Sequence, residues 1–93
     1  MDKPRWDHAR ARRVLLPDTA AMLAEERRKR GWSLRRAGWA LGCSYETVRL
    51  LELRQRVPST ALALTIARVY HLPGPAITQL MAQAVDDAGM SRP

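Results

Sequence analysis

Phenylalanine is absent from this 93-residue chain, cysteine occurs once, and no apolar run approaches the length of a membrane span. Each absence excludes something. Without phenylalanine, apolar volume must come from Leu, Ala, Val, Ile, Met and three tryptophans, a palette that suits small packed helices better than sheets. The lone Cys43 rules out an intrachain disulfide and a cysteine-based zinc site, and agrees with a reducing interior. A membrane helix needs roughly 18 consecutive apolar residues, and the opening stretch MDKPRWDHARARR lacks the apolar core of a secretory leader. A soluble, cytoplasmic protein is expected, without a membrane partner. There is no Gly-rich phosphate loop, no nucleophile beside a base and no acidic cluster, and His8 and His71 lie far apart. Neither catalysis, nor a cofactor, nor a bound metal is expected.

What is present reads as one globular domain: 46% of residues are hydrophobic and 27% charged, with six prolines and five glycines. The formal net charge is +7, and fourteen of the sixteen basic residues are arginine. The excess is uneven. Residues 1–36 hold eleven basic and five acidic groups, whereas 73–93 hold one and two. An anionic partner, nucleic acid foremost, is expected to meet the front half. Solubility alone is the competing explanation of the charge.

Residues 1–16 show no usable period and form a basic, flexible arm carrying Arg10, Arg12 and Arg13. A core follows over 17–72. Pro17-Asp18 opens a first helix, capped by Asp18 or Thr19, with Ala20, Leu23, Ala24 and Arg27 on one face and an end at Gly31. Ser33 caps a second helix that Gly42 closes after Leu41, and Ser44 caps a third running to about Leu53, with Thr47, Val48 and Leu51 inward. Pro58-Ser59 starts a fourth with the stripe Leu62, Ile66, Val69 and Tyr70. After the Pro73-Gly74-Pro75 break, 73–89 makes a last helix ending at Gly89, and 90–93 is a tail. Its stripe, Ile77, Leu80, Met81, Ala84, Val85 and Ala88, either completes the core or builds a homodimer. No strand signal is present.

The stretch GWSLRRAGWALGCSYETVRLLE, residues 31–52, holds two helix starts in little more than twenty residues. Helices of about nine residues are unstable alone, so this pair must pack on itself and its neighbours. Gly42 permits a tight turn, and small Ala37 and Gly38 let the second helix approach the third. That is helix-turn-helix geometry, which offers the third helix to a major groove. Residues 19–72 resemble the Cro/repressor-type, XRE-like helix-turn-helix family. The resemblance runs through Leu23, Arg27, Gly31, Ser33, Gly38, Leu41-Gly42-Cys43-Ser44, Val48, Leu51-Glu52, Pro58-Ser59, Leu64, Ile66-Ala67 and Leu72. It implies an all-α fold, a compact five-helix bundle of lambda-repressor type preceded by the basic arm. It also implies operator DNA as partner, commonly bound by a dimer, and an ion pair between Arg27 and Glu52. Departures are visible: Leu34 stands where the family has a glutamine near a phosphate, Ala37 replaces a larger core residue, Glu26 an often apolar one, and Arg54 the usual glycine after the third helix. Trp32 or Trp39 is available to refill the lost volume.

With Ser44, Thr47, Val48 and Leu51 inward, Tyr45, Glu46 and Arg49 are the candidate base readers. Arg49 suits guanine O6 and N7, Glu46 suits cytosine N4, and Tyr45 suits a base or phosphate at the helix start. The competing reading of Glu46 and Arg49 is a solvent-exposed pair at i, i+3. Leu50 suits a thymine methyl or half-buried packing. Backbone contacts fall to Ser33, Arg35, Arg36, Ser44, Arg54 and Arg56, and Arg10, Arg12 and Arg13 suit a minor groove. Arg35 and Arg36 sit at a helix N-terminus, where the dipole disfavours cations unless an anion is bound nearby. Cys43 reads as turn filler, and Trp39 as repacked core or a protein-partner surface. The function expected is a sequence-specific transcriptional regulator of double-stranded DNA, a bacterial or phage-type repressor, associated with the nucleoid. The alternatives are an antitoxin or controller-type autorepressor, a protein-binding adaptor on the same fold, and a general nucleic-acid coat.

Overall fold

A computed structural model describes residues 14–85. Arg10, Arg12 and Arg13, with Trp6 and His8 before them, lie outside the described residues, as do Ala88, Gly89 and the tail 90–93. Five helices make up the described chain: α1 (Pro17–Lys29), α2 (Leu34–Leu41), α3 (Tyr45–Glu52), α4 (Thr60–Val69) and α5 (Gly74–Gln83). The only extended pairing among the described residues is an isolated parallel bridge between Ser59 and Val85.

Three helices start on a serine for the same reason. Ser33, Ser44 and Ser59 hold extended backbone, and their hydroxyls accept from the N–H of Arg36 at 3.0 Å, Thr47 at 3.1 Å and Leu62 at 3.0 Å. Each cap satisfies a first-turn donor that the helix itself cannot, worth about 1 kcal/mol. Gly42 ends α2 with φ 74°, the left-handed conformation that glycine adopts without steric cost.

The start of α1 differs from the sequence expectation. Neither Asp18 nor Thr19 caps it; Leu16 holds the N-cap position and Pro17 the first turn, where its fixed φ suits a helix. Thr19 is buried instead, its hydroxyl accepting from Gln83 Nε2 at 2.8 Å, while Gln83 Oε1 accepts from the Leu16 N–H at 2.8 Å. One glutamine from the far end of the chain thus clamps the head of α1. The arm expected over 1–16 is correspondingly too long, because Leu15 is fully buried in the core.

The last helix is shorter than its apolar stripe suggested. It stops at Gln83; Ala84 is extended, with ψ 157°, and Val85 turns to pair with the chain entering α4. Val85 N–H donates to Pro58 O and Thr60 N–H donates to Val85 O, both at 2.9 Å. A first-turn donor of α4 gains a backbone acceptor this way, which a helix continued through 85 would not supply.

The core joins all five helices: Leu23 from α1, Leu41 from α2, Val48 and Leu51 from α3, Ile66 from α4 and Leu80 from α5, closed by Leu15, Tyr70 and Leu72. Fully buried Ala37 and Ala63 allow the short helices to approach closely. Leu34 is half-buried and packs on the same cluster, and so does Trp32, whose ring centroid lies 6.2 Å from that of Tyr70. Trp32 thereby supplies packing volume beside Tyr70, whereas Trp39 points out.

Burial pushes the Tyr70 hydroxyl from its ordinary pKa of 10.0 up to about 12. Below pH 10 the group is protonated in both the folded and unfolded chain and contributes nothing to pH dependence. Between about pH 10 and 12 the unfolded chain loses this proton and the folded one keeps it, so stability falls as pH rises. Tyr70→Phe is expected to flatten the fall in urea-unfolding free energy across that window while changing stability little at pH 7.

Candidate nucleic-acid interface

α2 packs most extensively on α3, and Gly38 is what lets it. A Cβ added there would lie 2.7 Å from Cys43 O, 3.1 Å from Ser44 C and 3.1 Å from Tyr45 N, all backbone atoms of the turn and the head of α3. Cys43 N–H donates to Gly38 O at 2.9 Å, fastening the turn to the same spot. The Cys43 side chain is half-buried, and that burial pushes its thiol pKa up, away from the reactive thiolate.

The rear of α3 is held to α1 by a two-point ion pair. Arg27 donates through Nε to Glu52 Oε2 at 2.7 Å and through Nη2 to Glu52 Oε1 at 3.0 Å, and its Nη1 donates to Trp32 O at 3.0 Å. The side chains are only 17% and 11% exposed, and the Glu52 hydrogen bond raises the Arg27 pKa. The guanidinium therefore ties α1, the loop before α2 and the end of α3 together. Glu26, in a position where an apolar residue was the family expectation, is occupied by ion pairs to Lys29 at 3.1 Å and Arg30 at 2.9 Å.

These contacts turn one face of α3 outward. Tyr45 is exposed, and Glu46 and Arg49 lie next to one another on that face. The two are joined: Arg49 Nη2 is 2.7 Å from Glu46 Oε2, and Nε donates to Oε1 at 3.2 Å. That hydrogen bond holds the Glu46 carboxyl below the usual carboxylate range and raises the Arg49 pKa. In the free protein the pair at i, i+3 is formed. Leu50 is half-buried and Leu53 exposed. Thr47 is half-buried, with its hydroxyl 3.0 Å from Ser44 Oγ and accepting from Arg56 Nη1 at 3.1 Å. Arg56 is thereby drawn to the head of α3.

Arg54 adopts φ 61°, so the turn after α3 keeps the left-handed shape a glycine would take. A non-glycine residue there costs about 1 kcal/mol. Its Nε donates to Leu15 O at 2.7 Å, which ties this turn to the start of the described chain. One edge of its guanidinium is engaged within the protein rather than turned to a partner.

At the head of α2 the arginines lie over aromatic rings. Arg35 Cζ sits 4.8 Å from the Tyr45 ring centroid, and Arg36 Cζ sits 4.8 Å from that of Trp39 and 5.4 Å from that of Trp32. Trp39 is 77% exposed, which excludes the repacked-core reading. Among the described residues Arg35 and Arg36 have no carboxylate partner, whereas Arg27, Arg28, Arg30 and Arg49 all do. The structure thus brings Tyr45, Glu46, Arg49, Arg35, Arg36, Arg56 and the capping Ser33 and Ser44 onto the α2–α3 unit. Sequence reasoning missed these cation–π contacts, although Trp32, Arg36 and Trp39 stand at i, i+4 and i+7, the spacing of one helix face.

Two capped eight-residue helices, a glycine-closed turn between them, and an outward polar face on the second beside the arginines at the head of the first define a helix-turn-helix, a DNA-binding class of domain. The chain belongs to the helix-turn-helix domain family, whose sequence model matches residues 19–80. Comparison with curated proteins and with solved structures returned no match. No helix among the described residues is long and apolar enough to cross a membrane.

Proposed function

We propose that this protein is a sequence-specific transcriptional repressor that lays α3 in the major groove of double-stranded DNA. The observation that carries the reading is the outward triad Tyr45, Glu46 and Arg49, flanked by Arg35, Arg36 and Arg56 on the unit that defines the family. Arg49 offers the planar fork that pairs with guanine O6 and N7, and Glu46 accepts from cytosine N4. In the free protein these groups satisfy each other, so DNA must replace their mutual bonds. The exchange favours sequences that answer both groups, because a base that leaves either unpaired returns nothing for the broken bonds. Repression follows from occupying a promoter.

A homodimer on a near-palindromic site would place two α3 helices one helical turn apart. The surface available for it on α5 is narrower than the stripe implied. Leu80 is fully buried in the chain's own core and cannot serve a partner, and Val85 is held against α4, which leaves the half-buried Ile77, Met81 and Ala84.

Selection from a randomised duplex pool at about 0.15 M salt, with sequencing, tests the reading. One enriched, palindromic motif is expected. Arg49→Ala and Glu46→Ala should each relax preference at one position per half-site, by roughly 1–3 kcal/mol of discrimination. Folded protein that enriches no motif would sink the repressor and turn attention to protein partners at Trp39 and Leu53.

A further inference from the structure

Trp39 is the most exposed of the large apolar side chains among the described residues. Water does not favour an indole there, and the core does not need it. What it does touch is Arg36, at 4.8 Å from ring centroid to Cζ. The same guanidinium lies 5.4 Å from the Trp32 centroid, and Trp32 leans on buried Tyr70. A line of contacts therefore runs from the core outward through Tyr70, Trp32, Arg36 and Trp39.

A guanidinium in cation–π contact with a ring still carries in-plane N–H groups that can donate to an acceptor. A fork held this way has fewer rotamers to lose when it meets an acceptor, which raises affinity without adding a contact. An acceptor is what Arg36 lacks within the described protein. The neighbouring Arg35 is arranged alike over Tyr45, the first residue of α3. The acceptor these forks suit is a planar or tetrahedral oxyanion, and phosphodiesters line both edges of the groove into which α3 would fit.

We infer that Trp39, together with Trp32, is a positioning residue that holds the Arg36 fork against a DNA phosphate beside the groove read by α3. The inference rests on the DNA-binding reading and adds to it a contribution to affinity that is blind to base sequence.

Its test is titration of labelled duplex, both the selected motif and a scrambled one, over a series of salt concentrations, with full-length protein. Trp39→Leu keeps apolar bulk without a ring and should weaken binding to both duplexes by about three- to tenfold. The preferred bases and the salt slope should stay unchanged. Trp39→Phe, which keeps a ring face, should stay within about twofold of wild type. Arg36→Ala should weaken binding and lower the salt slope by about one, and adding Trp39→Leu to it should cost nothing more. Thermal melting of each variant checks that the exposed substitution leaves the fold intact. Wild-type affinity in Trp39→Leu, a changed base preference in it, or a Phe variant as weak as the Leu variant would each overturn the inference while the repressor reading stands. Failure of the unaltered protein to bind either duplex would remove both.

Discussion

Gly38→Ala is expected to lower the unfolding free energy by about 2 kcal/mol, the reverse of what helix propensity alone gives. Alanine in a helix interior is favoured over glycine by about 1 kcal/mol, and Gly38 sits inside α2. Against that gain stands a methyl 2.7 Å from a backbone carbonyl oxygen of the turn. Overpacking costs about 1–3 kcal/mol when side chains can move aside, and more when they cannot. Here the neighbours are backbone atoms of Cys43, Ser44 and Tyr45, so relief requires moving α3. A cost of about 3 kcal/mol against a gain of about 1 leaves the fold weaker. In thermal unfolding the midpoint should drop by roughly 8–16 °C for a domain of this size. A midpoint equal to or above wild type would mean that α2 and α3 do not approach this closely. Because any relief displaces α3, the helix proposed to enter the groove, DNA affinity should fall even at temperatures where the variant remains folded.

Glu52→Ala is the second large effect. It leaves the Arg27 guanidinium half-buried with Trp32 O as its remaining partner. Removing one member of a fully buried pair costs roughly 3–5 kcal/mol. Residual exposure of 17% on the arginine lets water compensate in part, so about 2–3 kcal/mol is expected from urea unfolding. The cause is the stranded charge rather than the loss of the pair's own attraction. The double substitution Arg27→Met with Glu52→Leu should therefore be less damaging than Glu52→Ala alone. An additive result, with the double variant worse than either single one, would show that the pair itself supplies the stability.

How much of this was legible beforehand depends on the range of the interaction. Helix starts at Ser33, Ser44 and Ser59 could be read from the chain because a cap acts over three residues, between a hydroxyl and a nearby N–H. The turn at Gly42 is equally local, a matter of one residue's φ. The head of α1 was misread because its partner is Gln83, more than sixty residues away. Likewise the stripe continuing past Gln83 is helical in period, yet the chain leaves the helix at Ala84 so that Val85 can pair with Pro58 and Thr60. Periodicity reports which residues a helix would bury, and it is silent about competing backbone partners.

The candidate site divides the same way. Tyr45, Glu46 and Arg49 follow from the inward set Val48 and Leu51, because positions on one helix fix the opposite face. Their state in the free protein, with Arg49 closed onto Glu46, was one of two readings that spacing allowed. The sequence by itself determined the all-α class, the helix-turn-helix order and the excess of arginine toward the front of the chain, since these rest on composition and on contacts within a few residues. The ion pair of Arg27 and Glu52, implied by the family resemblance, is formed at 2.7 Å, whereas only the tertiary structure decided that Leu80 belongs to the core and that Trp39 lies against Arg36 instead of filling the interior. Those outcomes depend on where whole helices come to rest, and that is set by the sum of packing across the chain rather than by any local pattern.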